Sequence, residues 1–398
     1  MCCDARNVEC VATVTDCPIY SLNSPLANNI TVNCHNTVYV IRNFAAVSGG
    51  ISLSNHKNGH YPAELRGMVV ELHHHCKAYM QADDAKAWWQ VLSTAALFFP
   101  IMALMMWLAP ISYIAALLLA VPAGGLLTRF FALQHDCGHG SFFSNKRTNE
   151  IVGQVISMLT FTPYDHWRRS HAVHHAGSGN LERRGFGDVE TITVSEFNAL
   201  SRAGKWRYRI MRHPLVSLFI GPPLYFLVLQ RLAVGSKMEK SESLPGIWIH
   251  NAALVLFYGG LCYVFGTLLV VSVVLPAVLV GAWIGGWLFF VQHQFEETLW
   301  EGADKWDVKI AALKGSSHLQ LPRVLNWLTC DIGLHHIHHL SSRIPNYRLR
   351  ACMAASQALQ DIAPKLTIWR AMMSMHLALW DEQARRLISF REYHAKHA

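Results

Sequence analysis

Six apolar segments interrupt the polar pattern of the chain after residue 90, and their lengths decide what each can do. A helix needs about 20 predominantly apolar residues to cross the hydrocarbon core of a bilayer. The segments 215–230 and 151–161 do not qualify, because the first is broken by Gly221-Pro222-Pro223 and the second is too short. The pattern therefore predicts an all-α integral membrane protein with four transmembrane helices. These helices are expected at 91–108, 111–127, 247–265 and 267–290.

The first residues of the chain follow a different pattern. Residues 1–67 mix Asn, Thr, Cys, Gly and Ser without a sustained period, and no basic segment precedes an apolar core as it would in a secretory signal. An amphipathic stretch begins at Met68. We expect a poorly ordered N-terminal extension at 1–67, a membrane domain at 68–360 and a C-terminal helical tail at 361–398.

The composition supports the membrane class. Hydrophobic residues make up 52% of the chain and charged residues only 15%, whereas soluble domains carry about 25% charged residues. The net charge of +8 suits anionic headgroups, and no nucleic-acid-binding module accompanies it, so we expect no nucleic acid partner. The ten cysteines include no CxxC pair, which argues against a zinc framework and against a thioredoxin motif.

The chain contains 23 histidines, and several of them recur at helical spacing. Side chains at positions i, i+3 and i+4 lie on one side of a helix, so each HxxHH or HxxxH pattern aims its imidazoles at a common point. Two HxxHH patterns together with one HxxxH form a strong signal. The histidines concerned are His135 and His139 in HDCGH, His171, His174 and His175 in HAVHH, the single His293, and His335, His338 and His339 in HHIHH.

The clusters also lie at the ends of apolar segments. His135 follows Arg129, whose side chain is expected to snorkel to the interface, by about 9 Å along a helix. All clusters must share one side of the membrane, so an even number of spans separates each from the next. We therefore expect 151–161 and 215–230 to be interfacial. The many Arg and Lys residues between 166 and 213 predict a cytoplasmic location for this side.

Nine imidazoles exceed the coordination sphere of one metal, so the sequence predicts a histidine-rich di-metal site. Structural zinc sites usually include thiolates, which are missing from these clusters. Imidazole suits iron, copper and zinc, and a histidine-only pair beside lipid favours redox-active iron that activates O2. Ligating histidines usually donate their other N–H group to a carboxylate. The acidic residues expected in that role are Asp136, Glu296, Glu297 and Asp331.

At this point the sequence resembles the integral-membrane fatty acid desaturases. Three histidine boxes match that family in kind, order and spacing, and two further stretches resemble its bacterial acyl-lipid members, above all those of the omega-6 or delta-12 type. The boxes are HDCGHGSFF at 135–143, HWRRSHAVHH at 166–175 and LHHIHHLSSRIPNYRL at 334–349. The further stretches are GNLERRGFGDVETITVSEF at 179–197 and VQHQFEETLW at 291–300.

The resemblance implies four spanning helices under a cytoplasmic helical cap that holds two iron ions, with the nine histidines as ligands. It implies O2-dependent removal of two hydrogens from an acyl chain of a membrane lipid or acyl thioester, which leaves a cis double bond. The resemblance also implies that the two electrons that this reaction needs come from outside the protein. No HPGG signature of a fused haem domain occurs, so the expected donor is a separate protein such as a ferredoxin. The expected location is the bacterial inner membrane, with the active site facing the cytoplasm.

Two alternatives use similar ligands. A di-iron membrane hydroxylase or ketolase, acting on a lipid, alkane or carotenoid, carries similar boxes. A metal transporter would place its polar ligands within the membrane, whereas these lie beyond its edge. In a desaturase, some of the aromatic residues beside the boxes are expected to line an acyl tunnel, and the alternative is that they face lipid or serve as interfacial anchors. The candidates are Phe142, Phe143, Trp167, Phe289, Phe290 and Trp300.

Overall fold

The computed structural model describes residues 29–34, 37–42, 61–186, 189–232 and 240–397. The chain divides into two compact units, 1–53 and 54–398. In the first unit, β1 (Asn29–Cys34) pairs antiparallel with β2 (Thr37–Arg42). All further description concerns the second unit.

The second unit is mostly helical, and its first half contains five helices before a short strand. These elements are α1 (Ala63–Lys77), α2 (Asp84–Leu108), α3 (Tyr113–Gly138), α4 (Lys146–Thr160), α5 (Tyr164–Gly177), β3 (Ile192–Thr193), α6 (Val194–Ala199) and α7 (Arg202–Met211). Asp83 caps α2 and Ser112 caps α3, each through a side-chain oxygen that accepts a hydrogen bond from the first turn. These caps satisfy backbone N–H groups in the first turns and so fix where α2 and α3 begin.

The next stretch, Leu215–Leu232, is helical throughout but irregular. It consists of a π-helical turn Leu215–Ile220, α8 (Gly221–Leu224), a second π-helical turn Tyr225–Leu229 and α9 (Gln230–Leu232). Pro223 has no N–H to donate to the carbonyl of Phe219, and the indole nitrogen of Trp283 donates to that oxygen at 2.8 Å instead. A neighbouring helix thus supplies the hydrogen bond that the proline removes.

Two long helices and a series of short elements complete the chain. They are α10 (Lys240–Phe265), α11 (Thr267–His293), α12 (Val308–Lys314), β4 (His318–Leu319), α13 (Arg323–Leu328), α14 (His335–Leu340), α15 (Asn346–Ala354), α16 (Gln357–Ile362), β5 (Lys365–Leu366), α17 (Ile368–Met373), β6 (Leu377–Asp381), β7 (Arg386–Ser389) and α18 (Phe390–His397).

Among the described residues, five helices are long and apolar enough to cross a membrane. Four of them contain the apolar segments expected to span. The fifth is Leu215–Leu232, which the sequence pattern predicted to be interfacial. By length and composition alone it also qualifies, so these criteria do not distinguish four spans from five.

Helices α3 and α11 approach each other closely through glycine. A Cβ atom added at Gly124 would lie 2.5 Å from Cβ of Val280 and 2.9 Å from the carbonyl oxygen of Ala277. An atom added at Gly281 would lie 3.3 Å from the carbonyl oxygen of Gly124. The absence of side chains at these points lets the two backbones pack together. Both helices end in histidine-bearing turns, so their packing brings those turns together.

Three expectations need correction. Arg129 does not reach an interface: it is buried, donates from Nε to Thr94 at 3.0 Å, and places its guanidinium 4.1 Å from the Trp327 ring centroid. The C-terminal segment is not a purely helical tail, because β6 and β7 form a hairpin that pairs with β3. The chain is therefore not all-α, although helices predominate.

The boundary expected between residues 67 and 68 falls inside α1. Leu65, in the first turn of this helix, is buried, and the Tyr61 hydroxyl donates to a carboxylate oxygen of Glu301 at 3.2 Å. The described part of the second unit thus includes packed residues before Met68. The packing begins upstream of the point where amphipathic periodicity becomes visible in the sequence.

Replacing Gly124 with Ala is expected to destabilise the protein by about 1–3 kcal/mol, because the new methyl group overlaps the α11 backbone. The matched control is Gly259→Ala on α10, where an added Cβ meets nothing within 4 Å. The midpoint of thermal unfolding, measured on the detergent-solubilised protein, compares the stability of the two variants with that of the wild type. An unchanged midpoint for Gly124→Ala would show that α3 and α11 separate without cost.

Candidate metal centre

Four segments of the second unit carry the histidines that the sequence singled out. Each histidine lies on a helix or directly after one, so the backbone fixes its position. His135 lies in the last turn of α3 and His139 caps that helix, His171, His174 and His175 lie on α5, His293 is the last residue of α11, and His335, His338 and His339 lie on α14.

The structure brings these residues together as two groups. In the first group, the ligand atoms of five histidines lie within 4.8 Å of one another, and in the second the same holds for three. The first group is His135, His139, His171, His175 and His338. The second group is His174, His293 and His339. His335 lies beside the second group, with its Nε2 atom 3.0 Å from Nε2 of His293.

The contacts between ring nitrogens fit a metal better than hydrogen bonds. Nε2 of His293 lies 3.2 Å from Nε2 of His174 as well as 3.0 Å from that of His335. Nε2 of His175 lies 3.1 Å from the Nε2 atoms of both His171 and His338. One ring nitrogen has either one proton or one lone pair and cannot satisfy two such neighbours well. A metal with nitrogen ligands at about 2 Å would separate them by about 3 Å.

Burial favours the neutral form of six of these imidazoles. It lowers the pKa of six of these histidines well below the ordinary value of 6.5, and the repulsion that neighbouring imidazolium ions would exert lowers it further. A neutral imidazole keeps the lone pair that a metal needs. The six histidines are His139, His171, His175, His335, His338 and His339.

Several buried ring nitrogens of these histidines have no hydrogen-bond partner within the described part of the chain, among them the Nδ1 atoms of His335 and His338. Two others are Nε2 atoms. They are Nε2 of His139 in the first group and Nε2 of His339 in the second. An unsatisfied buried polar atom costs free energy unless a ligand takes it up. Each group therefore contains a nitrogen that a bound metal would satisfy.

Asp136 lies where a supporting carboxylate is needed. Its Oδ1 atom is 3.1 Å from Nδ1 of His135, and its Oδ2 accepts hydrogen bonds from the backbone and side chain of Asn346 at 2.7 and 2.9 Å. The carboxylate is buried and links the end of α3 to the start of α15. It orients His135 and leaves Nε2 of that ring to face the first group.

The structure gives the other three expected carboxylates different partners. Glu296 forms an ion pair with Arg386 at 2.9 Å, Glu297 lies 3.9 Å from Arg370, and Asp331 pairs with Arg350. Their predicted role required Glu296 and Glu297 to continue the helix of His293, and Asp331 to share the helix of His335. However, α11 ends at His293 and α14 begins only at His335. Asp331 itself adopts a φ of 55°, which no continuous helix allows.

A backbone carbonyl replaces the expected carboxylates at His293. Nδ1 of His293 lies 3.1 Å from the carbonyl oxygen of Gly315, which follows α12. A backbone oxygen leaves no trace in the identity of a residue, so sequence reasoning missed this contact. It also missed Asn346, although that residue lies within the third box.

An apolar cavity of about 280 Å³ extends from the histidines between the long helices. His135 and His171 of the first group and His174 of the second line it, together with His335. The remaining lining is mainly aromatic and aliphatic, from α3, α5, α11 and the Leu215–Leu232 helix. The cavity can therefore hold a hydrocarbon chain against both histidine groups.

Three of the six aromatic residues expected to line a tunnel do so: Trp167, Phe289 and Phe290. Trp167 also stacks on His171, with ring centroids 4.8 Å apart. The other three do not line this cavity. Phe142 and Phe143 belong to the core beside α2. Trp300 packs with Trp380 and Leu387 and also lines a narrow pocket of about 10 Å³ that includes His174 and His293.

Converging histidines at the ends of membrane-length helices, next to an apolar cavity, are typical of membrane-bound metal enzymes with lipid substrates. The comparisons with known proteins agree. The family model for fatty acid desaturases matches residues 107–369. The fatty acid desaturase of Bacillus subtilis (strain 168) is 38% identical over 314 residues, which is 79% of this chain and 88% of that protein. The chain therefore belongs to the fatty acid desaturase family, and so is an oxidoreductase.

More distant relatives have names that state a position or a donor. The sn-1 oleoyl-lipid 12-desaturase of Anabaena variabilis is 26% identical over 74% of this chain and 81% of its own length. The sn-1 acyl-lipid omega-3 desaturase (ferredoxin) of Synechocystis sp. is 29% identical over 64% of this chain and 72% of its own.

Replacing Asp136 with Asn is expected to lower the metal affinity of the purified protein by about 10–100-fold, because the carboxylate that orients His135 is lost. Asp331→Asn is the matched control, since Asp331 pairs with Arg350 instead of a histidine. Metal content per chain after dialysis against a weak chelator measures both. Equal metal retention in the two variants would contradict the role given to Asp136.

Proposed function

We propose that the protein introduces a cis double bond into an acyl chain by O2-dependent chemistry, at the delta-12 or omega-6 position. The observation that carries this proposal is the apolar cavity whose wall includes histidines of both groups. It would hold a hydrocarbon where the metals bind. The Anabaena relative, named as a 12-desaturase, supports the position.

The proposed ligands are the nine histidines His135, His139, His171, His174, His175, His293, His335, His338 and His339. Two iron ions bound to them would supply the reaction of O2 with an unactivated carbon–hydrogen bond. Iron fits an all-imidazole donor set that lacks thiolate, and two metals fit two groups of ring nitrogens. The protein contributes the imidazoles, and Asp136 and the carbonyl of Gly315 hold two of them, His135 and His293, in place.

The cavity walls would position the substrate. Trp167 packs flat against His171, and Phe289 lies with its ring centroid 5.4 Å from that of His174. Two rigid rings thus hold the chain beside the two groups. Abstraction from an unactivated carbon needs this restraint, because a misplacement of about 1 Å costs about 100-fold in rate. The apolar lining also excludes bulk water.

The electrons would come from a separate protein, such as a ferredoxin. Support comes from the Synechocystis relative, whose name includes ferredoxin. The substrate would be an acyl chain of a membrane lipid or an acyl thioester. The names of both cyanobacterial relatives state an acyl group on a lipid, which favours the lipid form.

We propose four spanning helices, with the histidines in a cytoplasmic cap at the bacterial inner membrane. His135 and His293 belong to two adjacent histidine groups, although they end different long helices. The chain must therefore cross an even number of times between them. Helices α10 and α11 account for two crossings, so Leu215–Leu232 would lie at the interface. The basic segment between 166 and 213 supports the cytoplasmic side.

Expression in a bacterium with only saturated and monounsaturated lipids tests the function. The expected result is a new double bond in the acyl chains, located by mass spectrometry of derivatised lipids. A hydroxyl or keto group retained on the chain would instead assign the protein to the hydroxylases or ketolases. Membrane insertion without any modified lipid would overturn the proposal.

His174→Ala and His338→Ala are each expected to abolish product formation and to lower the iron content of the purified protein, because each removes a ligand of one group. The matched control is His74→Ala, an exposed histidine on α1, which should leave both unchanged. Full activity in either ligand variant would refute the assignment.

A further inference from the structure

A second, smaller cavity of about 40 Å³ adjoins the main one. It lies among α3, α4, α11 and the Leu215–Leu232 helix, away from the histidines. The two cavities share four lining residues, which therefore stand at their junction. These are Thr128, Phe131, Phe226 and Gly285.

Two aromatic rings form one side of the junction. The rings of Phe131 and Phe226 meet edge to face, with centroids 5.8 Å apart. Phe131 is held from its other side by Trp167, at 5.2 Å. Phe226 comes from the second π-helical turn, Tyr225–Leu229, whose backbone is irregular. Phe226 is thus the ring of the pair that can be removed without disturbing Trp167, which stacks on His171.

Gly285 also lines both cavities, and the space where its side chain would lie is open. A Cβ added at Gly285 meets nothing within 4 Å, whereas one added at the adjacent Gly286 would lie 2.4 Å from Pro222. Gly286 is therefore needed for helix packing, but Gly285 is not. The open space at Gly285 belongs to the two cavities that it lines.

Beyond the junction, the lining of the smaller cavity is mainly apolar. Leu127, Leu159 and Val278 line it, and Oγ1 of Thr160 donates to Oε1 of Gln134 at 2.6 Å. A polar headgroup could not enter an apolar chamber of this size without losing its hydration. The end of an acyl chain that reaches the junction must be the methyl end.

We propose that Phe226 and Gly285 set the depth to which the methyl end of the acyl chain enters, and thereby the preferred chain length and the carbon that faces the histidines. This inference rests on the proposed function and deepens it. A wider junction admits the methyl end into the smaller cavity, and a narrower one stops it in the main cavity. The same chain then presents a different carbon to the histidine groups.

Phe226→Ala and Gly285→Leu test the proposal in opposite directions. Phe226→Ala is expected to favour longer chains and to move the double bond towards the carboxyl end. Gly285→Leu is expected to favour shorter chains and to move it towards the methyl end. One methylene in an apolar pocket changes specificity by about tenfold or more, so the ratio of products should change by that order. The matched control is Gly259→Leu on α10, another glycine with open space around it, which should give wild-type products.

The readouts are chain length and double-bond position in cellular lipids, together with protein level and iron content. The milder pair Phe226→Leu and Gly285→Ala keeps the test valid where the larger changes prevent folding, and smaller shifts in the same directions are expected. Wild-type products from folded variants at both positions would overturn the proposal, as would shifts in one common direction. If the wild type forms product and the variants form the same product, only the role proposed for the junction is rejected. If the wild type forms no product, the proposed function is rejected and the role of the junction with it.

Discussion

The convergence of eight imidazoles on two points, with His335 beside the second, is the constraint on which the rest of the structure depends. Buried ring nitrogens about 3 Å apart have too few protons to satisfy one another, and protonating them would place like charges in contact. A cation that takes their lone pairs would stabilise such a cluster, which requires that the rings be held at these positions. The long helices, the short helices of the cap and the cavity are all arranged around this requirement.

The close packing of α3 and α11 meets part of that requirement. Each helix delivers a histidine at its C-terminal end, and the glycine contact between Gly124 and Gly281 fixes how far apart these ends are. The hydrogen bond that the Asn346 side chain donates to Asp136 then ties the end of α3 to the segment that follows α14. The histidine cluster is thus positioned by two interactions of different kinds. One is the close packing of the long helices, and the other is a buried polar contact beyond their ends.

Sequence reasoning succeeded where helical spacing held and failed where it did not. His171, His174 and His175 lie on one helix, as the HxxHH pattern predicts, and meet the histidines of three other segments. Glu296 and Glu297 were misplaced because α11 ends at His293, and that end depends on tertiary contacts rather than on a breaker residue. Contacts made by backbone atoms, such as the carbonyl of Gly315, leave no mark in the sequence. The hairpin of β6 and β7 was missed because it pairs with the distant strand β3.

The break at Pro222 and Pro223 has two consequences that follow from one cause. The prolines remove backbone hydrogen bonds from this helix. Its backbone adopts π-helical turns on both sides of the prolines, and the Trp283 side chain donates a hydrogen bond to a carbonyl left without its backbone donor. The same irregularity seats Pro222 against Gly286 and turns Phe226 towards Phe131, where both help to enclose the apolar cavity. A regular helix in this place would keep its hydrogen bonds, but it would present different side chains to the cavity. The irregular backbone is therefore part of the wall of the apolar cavity.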